Sequence, residues 1–222
     1  MKLILFLLLL AATQQLSAQA VEPKDSLVNV ICRSVSQLED MDDTTALWGT
    51  VSEHLHPYFS KMEEATQKEA WMYINLRLQR NCKKYNDFML RHYVEKDKTD
   101  WKILEKMPEL KMTKSECRDI LKQRSLQYLE GNGDSVQVEI ANGFWIDHFK
   151  DGTYSKLKFR WMTDCEFEIE FVQSNNDSRR NLSKPGDKYR YTLVEKKAHY
   201  YDVLVEVVGS GSNDIVLFKM YY

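Results

Sequence analysis

Residues 156–172 read KLKFRWMTDCEFEIEFV, and their alternation decides the fold of the second half of the chain. Leu157, Phe159, Trp161, Cys165, Phe167, Ile169 and Phe171 hold the odd positions, while Lys156, Lys158, Arg160, Glu166, Glu168 and Glu170 hold the even ones. A period of two means β-structure with one apolar and one charged face. Folding the stretch back at Met162-Thr163-Asp164 sets Arg160 opposite Glu166, Lys158 opposite Glu168 and Lys156 opposite Glu170. On the other face Phe159 then meets Phe167 and Leu157 meets Ile169. Charge matching outside and apolar matching inside agree on this register, and a slip of one residue would turn every aromatic to water. Such a hairpin needs a sheet beside it to cover its apolar face.

The same rhythm extends in both directions from there. Upstream, Leu126 to Glu130 reads as a strand, Gly131-Asn132-Gly133-Asp134 as a turn, and Val136, Val138 and Ile140 as the inner row of the next strand. Asn142-Gly143 makes a kink or turn before a strand from Phe144 to Phe149, and Lys150-Asp151-Gly152 turns the chain into the hairpin. Downstream come a long polar loop without aromatics, Gln173 to Lys188, and strands over Tyr189–Lys196, Tyr200–Val208 and Ile215–Tyr222. The connection 209–214 is flexible by composition. Strands joined by short local turns give an antiparallel meander, and seven or eight of them curl or close to avoid exposed edges. The expectation is a strongly curved sheet or barrel.

The first half keeps a helical period instead. Asp25-Ser26 offers a cap to a helix with the stripe Leu27, Val28, Ile31, Cys32, Val35 and Leu38, and Asp43 a cap to a second carrying Leu47, Val51 and Leu55 up to a disturbance at Pro57. Ser60-Lys61-Met62-Glu63 has the capping-box pattern, opening a long helix with Trp71, Ile74, Leu78, Cys82, Tyr85 and Met89 on one face. After a charged connection at 94–100, a short helix over 101–107 is expected to end at Pro108. Thr113 to Glu116 is a second capping box, opening a short helix with Cys117, Ile120 and Leu121. The class is therefore α+β, with an α-helical domain over 21–110 and an antiparallel β-domain over 111–222.

The chain has 222 residues and begins MKLILFLLLLAATQQLSAQA, a Lys, an apolar run from Leu3 to Ala12, and a small-x-small site at Ala18-Gln19-Ala20. That is the pattern of a secretory signal peptide cleaved near Ala20, which implies export to a periplasm or cell exterior. No cysteine follows the site, which disfavours a lipid anchor, and no stretch of the mature chain has the length of a membrane-spanning helix. Losing Lys2 and no acid with the leader moves the formal net charge from −2 to −3, so neither nucleic acid nor an anionic membrane is implied as a partner. The four cysteines, Cys32, Cys82, Cys117 and Cys165, are expected to form disulfides in an oxidising compartment. Three pairings are possible, and spacing alone does not choose. Cys32 and Cys82 both fall on inward faces of their helices, as a helix-to-helix bridge requires.

The helix-borne Cys117, the strand soon after it, the GTYSKLKFRW strand, the corner Trp161-Met162-Thr163-Asp164-Cys165 and the Gly186-Asp187 start of the next strand together resemble small exported bacterial proteins of uncharacterised function with a lipocalin-like or half-barrel β-domain. The likeness covers roughly the last half of the chain, and the W-x-x-D-C corner is its most specific element. The helical half, with ICRS at Cys32 and RNCKKY at Cys82, is similar in type to helical domains that precede such barrels. The resemblance implies fold, export and a disulfide between Cys117 and Cys165; it brings no catalytic or ligand-binding residue. The loop 173–188 is long for the family.

Candidate chemistry is sparse. His54 and His56 are two apart in a helical pattern, where their side chains diverge, so metal binding is not expected. Asp147-His148 are neighbours on a strand and point to opposite faces, a poor arrangement for an acid–base dyad. The row Glu166, Glu168, Glu170 faces Lys and Arg and reads as a solvated ion ladder. G-x-S-x-G, P-loop, Rossmann glycines and H-E-x-x-H do not occur, so no catalytic residue, metal or cofactor is assigned. Asn176-Asp177-Ser178 and Asn181-Leu182-Ser183 match the glycosylation sequon but read as loop polarity.

The aromatic load of the β-half leans toward function. Trp145, Phe159, Trp161, Phe167 and Tyr191 are candidates to line a lumen for a small apolar ligand, although small barrels usually fill their interiors with such residues. The leading expectation is a non-enzymatic exported binding or interaction module. The alternatives are a lipocalin-like carrier of a small apolar ligand and a hydrolase with an unrecognised site.

Overall fold

A computed structural model describes residues 23–39, 43–93, 100–104, 106–210 and 215–222. The expected leader, most of the acidic turn after the first helix, nearly all of the charged connection at 94–100 and the tip of the 209–214 loop lie outside the described residues.

The N-terminal half is a small helical layer of α1 (Pro23–Ser36), α2 (Thr44–Phe59), α3 (Glu64–Asn81) and α4 (Lys83–His92). The predicted stripes meet in one core: Val28, Ile31 and Val35 of α1 pack on Leu47 and Val51 of α2 and on Ile74 and Leu78 of α3. Asp43 caps α2 as expected, accepting from the amides of Thr45 at 2.9 Å and Ala46 at 3.0 Å. Other boundaries differ from expectation. α1 opens on Pro23, whose fixed φ suits a first helical position, and Asp25 bonds to Tyr73 of α3 and to Lys184. Glu63, not Ser60, precedes α3, and α2 runs through Pro57, which falls in its last turn. The long helix breaks at Cys82 (φ −123°, ψ 99°), where the chain is bridged to Cys32. On either side of the break, α3 and α4 both pack on α1.

The C-terminal half is a closed barrel of eight antiparallel strands. In order these are β2 (Leu126–Leu129), β3 (Ser135–Ala141), β4 (Phe144–His148), β5 (Tyr154–Trp161), β6 (Glu166–Ser174), β7 (Lys188–Lys196), β8 (Tyr200–Val207) and β9 (Ile215–Tyr221). Each pairs with the next, and β9 returns to β2 through Gln127 opposite Tyr221, so the meander closes. The expected turns do their work. Asn142 and Gly143 have φ of 54° and 78°, the left-handed pair that a two-residue hairpin between Ala141 and Phe144 needs. The segment expected as a short helix over 101–107 instead holds β1 (Lys102–Leu104), which pairs with β9, while Trp101 stacks on Phe218 at 4.5 Å.

Two further expectations are corrected. In the β5–β6 hairpin the partners are Arg160 with Glu168, Lys158 with Glu170, Phe159 with Ile169 and Trp161 with Phe167. The register is two residues from the expected one, so each side chain keeps its face while its partner changes. The turn is centred on Asp164, closed by the Met162 amide donating to the Glu166 carbonyl at 2.8 Å, and Cys165 at its end is bridged to Cys117. Outside, the ion ladder spans three strands, with Glu168 held between Arg160 at 2.9 Å and Lys188 at 3.1 Å.

The polar stretch 173–188 is not a plain loop. It contains α6 (Asp177–Leu182), capped by the Asn176 side chain accepting from the Arg179 amide, and α6 packs against α3. Lys184-Pro185-Gly186-Asp187 then forms a turn with Gly186 at φ 93° and the Asp187 amide donating to the Lys184 carbonyl at 2.9 Å.

Disulfides join Cys32 to Cys82 and Cys117 to Cys165, with Cα atoms 5.5 Å and 5.2 Å apart. The second pins α5 (Lys114–Arg118), opened by the Thr113–Glu116 capping box, and the 3₁₀ turn Asp119–Lys122 across one end of the barrel. Cys117 and Ile120 seal that end against the barrel core. The helical layer covers the other end. Arg77 and Arg80 of α3 reach Asp187 at 2.9 Å and 3.1 Å, Arg77 also donates to the Leu182 carbonyl at 2.8 Å, and Lys184 pairs with Asp25.

Candidate functional site

The inner rows of the strands are not used alike along the barrel. Toward the sealed end, Phe159, Trp161 and Phe167 pack edge to face or tilted with centroids 4.9–5.5 Å apart, and Arg118 lies 3.8 Å over Trp161. This half is filled. Toward the helical layer the interior opens into a cavity of about 380 Å³. The expectation that aromatics fill the barrel outright therefore holds for one end only.

Of the five aromatics expected to line a lumen, Trp145 and Tyr191 do so; Phe159, Trp161 and Phe167 belong to the packed end and are not among the lining residues. Phe167 is the link, stacked on Tyr191 at 5.2 Å with the planes 3° apart and on Trp145 at 5.8 Å. The remaining walls come from Trp101, Tyr128, Phe171, Tyr189 and Phe218, with Val205, Val207 and Val216 between them. Gln79, Arg80 and Lys83 from the break between α3 and α4, together with Arg179 and Ser183 at α6, form the mouth.

Besides Arg80 and Lys83, three charged side chains line the cavity: Asp147, Glu130 and Arg179. Asp147 is on the inner row of β4 beside Trp145, only 7 % exposed, and its Oδ1 accepts from the Trp145 indole N–H at 2.7 Å. Glu130, just past β2, pairs with Arg179 of α6, whose guanidinium also sits 5.3 Å from the centre of the Phe149 ring. Burial pushes the Asp147 carboxyl up to about 6, against the pull of Arg179 and of the hydrogen bond from Trp145 and with help from Glu130. Burial, followed by the charge of Asp147, likewise holds the Tyr191 phenol far above its ordinary value.

Asp147 was visible in the sequence only as half of a dyad with His148, and the strand separates them as alternation demands. His148 faces outward, half-exposed, 3.4 Å from Glu139. The signal that marks Asp147 is different: it is an acid sharing the inner row with a tryptophan. Arg179 and Glu130 carried no such mark, since Arg179 lies in the polar stretch and Glu130 ends a strand.

Elsewhere the candidate chemistry stays dispersed. Ser34 Oγ lies 2.8 Å from His54 Nε2 between α1 and α2, but among the described residues no acid bonds to that imidazole and the pair does not line the cavity. Among the described residues no three His, Cys, Asp or Glu side chains converge as a metal site would require, and no helix is long and apolar enough to cross a membrane.

The fold and cavity define a helix-capped, disulfide-stapled antiparallel barrel with a half-open lumen. Compared with known proteins, the chain matches no family model, no curated protein and no solved structure.

The Asp147 carboxyl ionises near 6 in the folded chain and near 3.8 once exposed. The unfolded chain therefore binds fewer protons between those values, and stability from this group falls as pH rises from about 4 to about 6, then stays level. The full difference is about 3 kcal/mol. Asp147→Asn keeps an acceptor for Trp145 and removes the titration. Its gain over the wild type in urea unfolding is expected to be small at pH 4 and to grow by about 2–3 kcal/mol by pH 7. A gain independent of pH would show that the carboxyl does not titrate in that window.

Proposed function

We propose that the protein is a non-enzymatic, exported binder of a small molecule, held in the half of the barrel that faces the helical layer. The observation that carries this reading is the cavity itself: about 380 Å³, bounded by rings and valines and bearing a few convergent polar groups. Concave, largely apolar volume with sparse polar anchors is what small-molecule sites share, whereas a barrel built only as scaffold fills its interior. Export is supported by the leader pattern and by two disulfides, which persist in oxidising compartments. The helical layer then serves as a cover over the mouth.

Native mass spectrometry of the protein purified from cells, followed by the same sample denatured, tests the reading. A stoichiometric added mass that survives native spraying and is released on denaturation is expected. Val205→Trp, which projects a large ring into the lumen, is expected to abolish that mass while leaving the circular dichroism of the fold in place. An added mass retained in this variant would place the bound molecule elsewhere.

A further inference from the structure

We infer that the lumen receives an organic monocation, an ammonium group on an aromatic or aliphatic body, with its charge seated at Asp147. This rests on the lumen-binding reading above and narrows it to a ligand class.

Three features of the cavity lead there. Asp147 is buried on the wall, 7 % exposed, and its one hydrogen bond among the described residues is from a neutral donor, the indole N–H of Trp145 at 2.7 Å. Among the described residues no Lys, Arg or His comes within ion-pairing distance of it; the nearby Arg179 is paired with Glu130. A buried carboxylate without a direct counter-ion is an expensive group, and a cation that enters beside it removes the cost.

The second feature is charge balance. The groups facing Asp147 are Tyr128 from β2, Glu130 just past that strand, Trp145 on its own strand, Tyr191 from β7 and Arg179 from α6. With both phenols neutral, two carboxylates and one guanidinium leave this cluster one negative charge, which a single positive charge completes.

The third is the wall. Trp101 and Phe218 are stacked, Tyr128 and Tyr191 meet Phe218 edge to face at 5.9 Å, and Trp145 stacks on Tyr191 at 5.6 Å. Ring faces attract cations through their quadrupoles, most strongly where water is excluded. An anion would instead meet aromatic rings and an acid, and would find the lining cations Arg179, Arg80 and Lys83 already engaged with Glu130, Asp187 and Asp87.

The test uses three probes of one body: 2-phenylethylamine, 2-phenylethanol and 3-phenylpropionate, titrated into the full chain by calorimetry at pH 7.5. The amine is expected to bind at least about tenfold more tightly than the alcohol, and the carboxylate most weakly. Asp147→Asn is expected to bring the amine down to the alcohol and leave the alcohol unchanged. No variant is needed for the second readout. In the wild type, amine affinity should fall by about tenfold per pH unit below about pH 6 while the alcohol stays level.

Equal affinity for amine and alcohol, tightest binding by the carboxylate, or carboxylate binding that strengthens as the pH falls would overturn the cation assignment while leaving a lumen that binds. No binding of any probe together with no added mass in native spectra would remove the lumen reading and this inference with it. No probe binding in a protein that carries a neutral or anionic native ligand would overturn the cation assignment alone.

Discussion

Replacing Asp187 with alanine is expected to destabilise the protein by about 3–5 kcal/mol and to loosen the helical layer from the barrel. The reason is the asymmetry of a shared carboxylate. Asp187 Oδ2 takes Arg77 at 2.9 Å, Arg80 at 3.1 Å and the amide of Lys184 at 2.8 Å. The two guanidiniums are only 8 % and 5 % exposed. With the carboxylate gone they are left as poorly solvated like charges, Arg77 keeping the Leu182 carbonyl and Arg80 the Asn81 side chain, neither of which is an anion. Nearby contacts do not replace it. Lys184 and Tyr73 both bind Asp25, whose carboxyl is held low by those hydrogen bonds in spite of its burial, so that cluster already has its own balance.

Two measurements check this. Urea unfolding gives the size of the loss, and limited proteolysis of the 173–188 stretch reports whether α6 has come away from α3. If the charge repulsion is the cause, Arg77→Met with Arg80→Met in the Asp187→Ala background should recover most of the stability, because a buried ion cluster exchanged for packed apolar side chains is close to neutral. A loss below about 1 kcal/mol in Asp187→Ala alone would mean that the arginines find solvent, and that the layer and the barrel are not coupled through this carboxylate.

How much of this architecture the sequence disclosed follows from the range over which each signal acts. The strands were legible because period two is written within each of them, and the inner rows 136–140, 203–207 and 216–222 all point inward as their pattern says. The register of the β5–β6 hairpin was not, and the cause is specific. A ladder of alternating charge matches itself when slid by two, so Lys158 is as well served by Glu168 as by Glu170. What broke the tie was Cys165, through a partner forty-eight residues away in sequence. β1 was illegible for a similar reason: three residues that pair only with β9 carry no local rhythm.

The site was half legible. Trp145 and Tyr191 were found by composition, yet nothing in the pattern distinguishes aromatics that meet across the barrel from aromatics that leave a gap. That is decided by α5 at one end and by α6 and α3 at the other. α6 itself did leave a trace, since Asn176 opening a polar run is an N-cap signal, and in the structure its side chain holds the Arg179 amide at 3.1 Å. Read as loop polarity, the same asparagine gave no sign of the helix that brings Arg179 to the mouth.

The second large effect is expected from the Cys117–Cys165 bridge. Cys117→Ala with Cys165→Ala should lower stability by about 4 kcal/mol on the chain-entropy account, given the separation of 48 residues. For a chain of this size that corresponds to roughly 8–16 °C in melting temperature. The loss has a structural side as well. α5 is a helix of five residues, too short to stand alone, held by its capping box and by the bridge. Cys117 is fully buried, and Ile120 beside it closes the packed end of the barrel. When the bridge is cut, the expected sequence is that α5 frays first, water reaches Trp161 and Phe159, and the barrel then melts at the lower temperature. Tryptophan fluorescence shifting to the red before the far-ultraviolet transition would report that order. Cys32→Ala with Cys82→Ala provides the contrast, since that bridge closes a loop of similar length within the helical layer and leaves α5 in place. A comparable stability loss is expected there without the early fluorescence change. If both double variants shifted fluorescence and melting together, the barrel's closed end would depend on the fold as a whole and not on the strut that α5 makes across it.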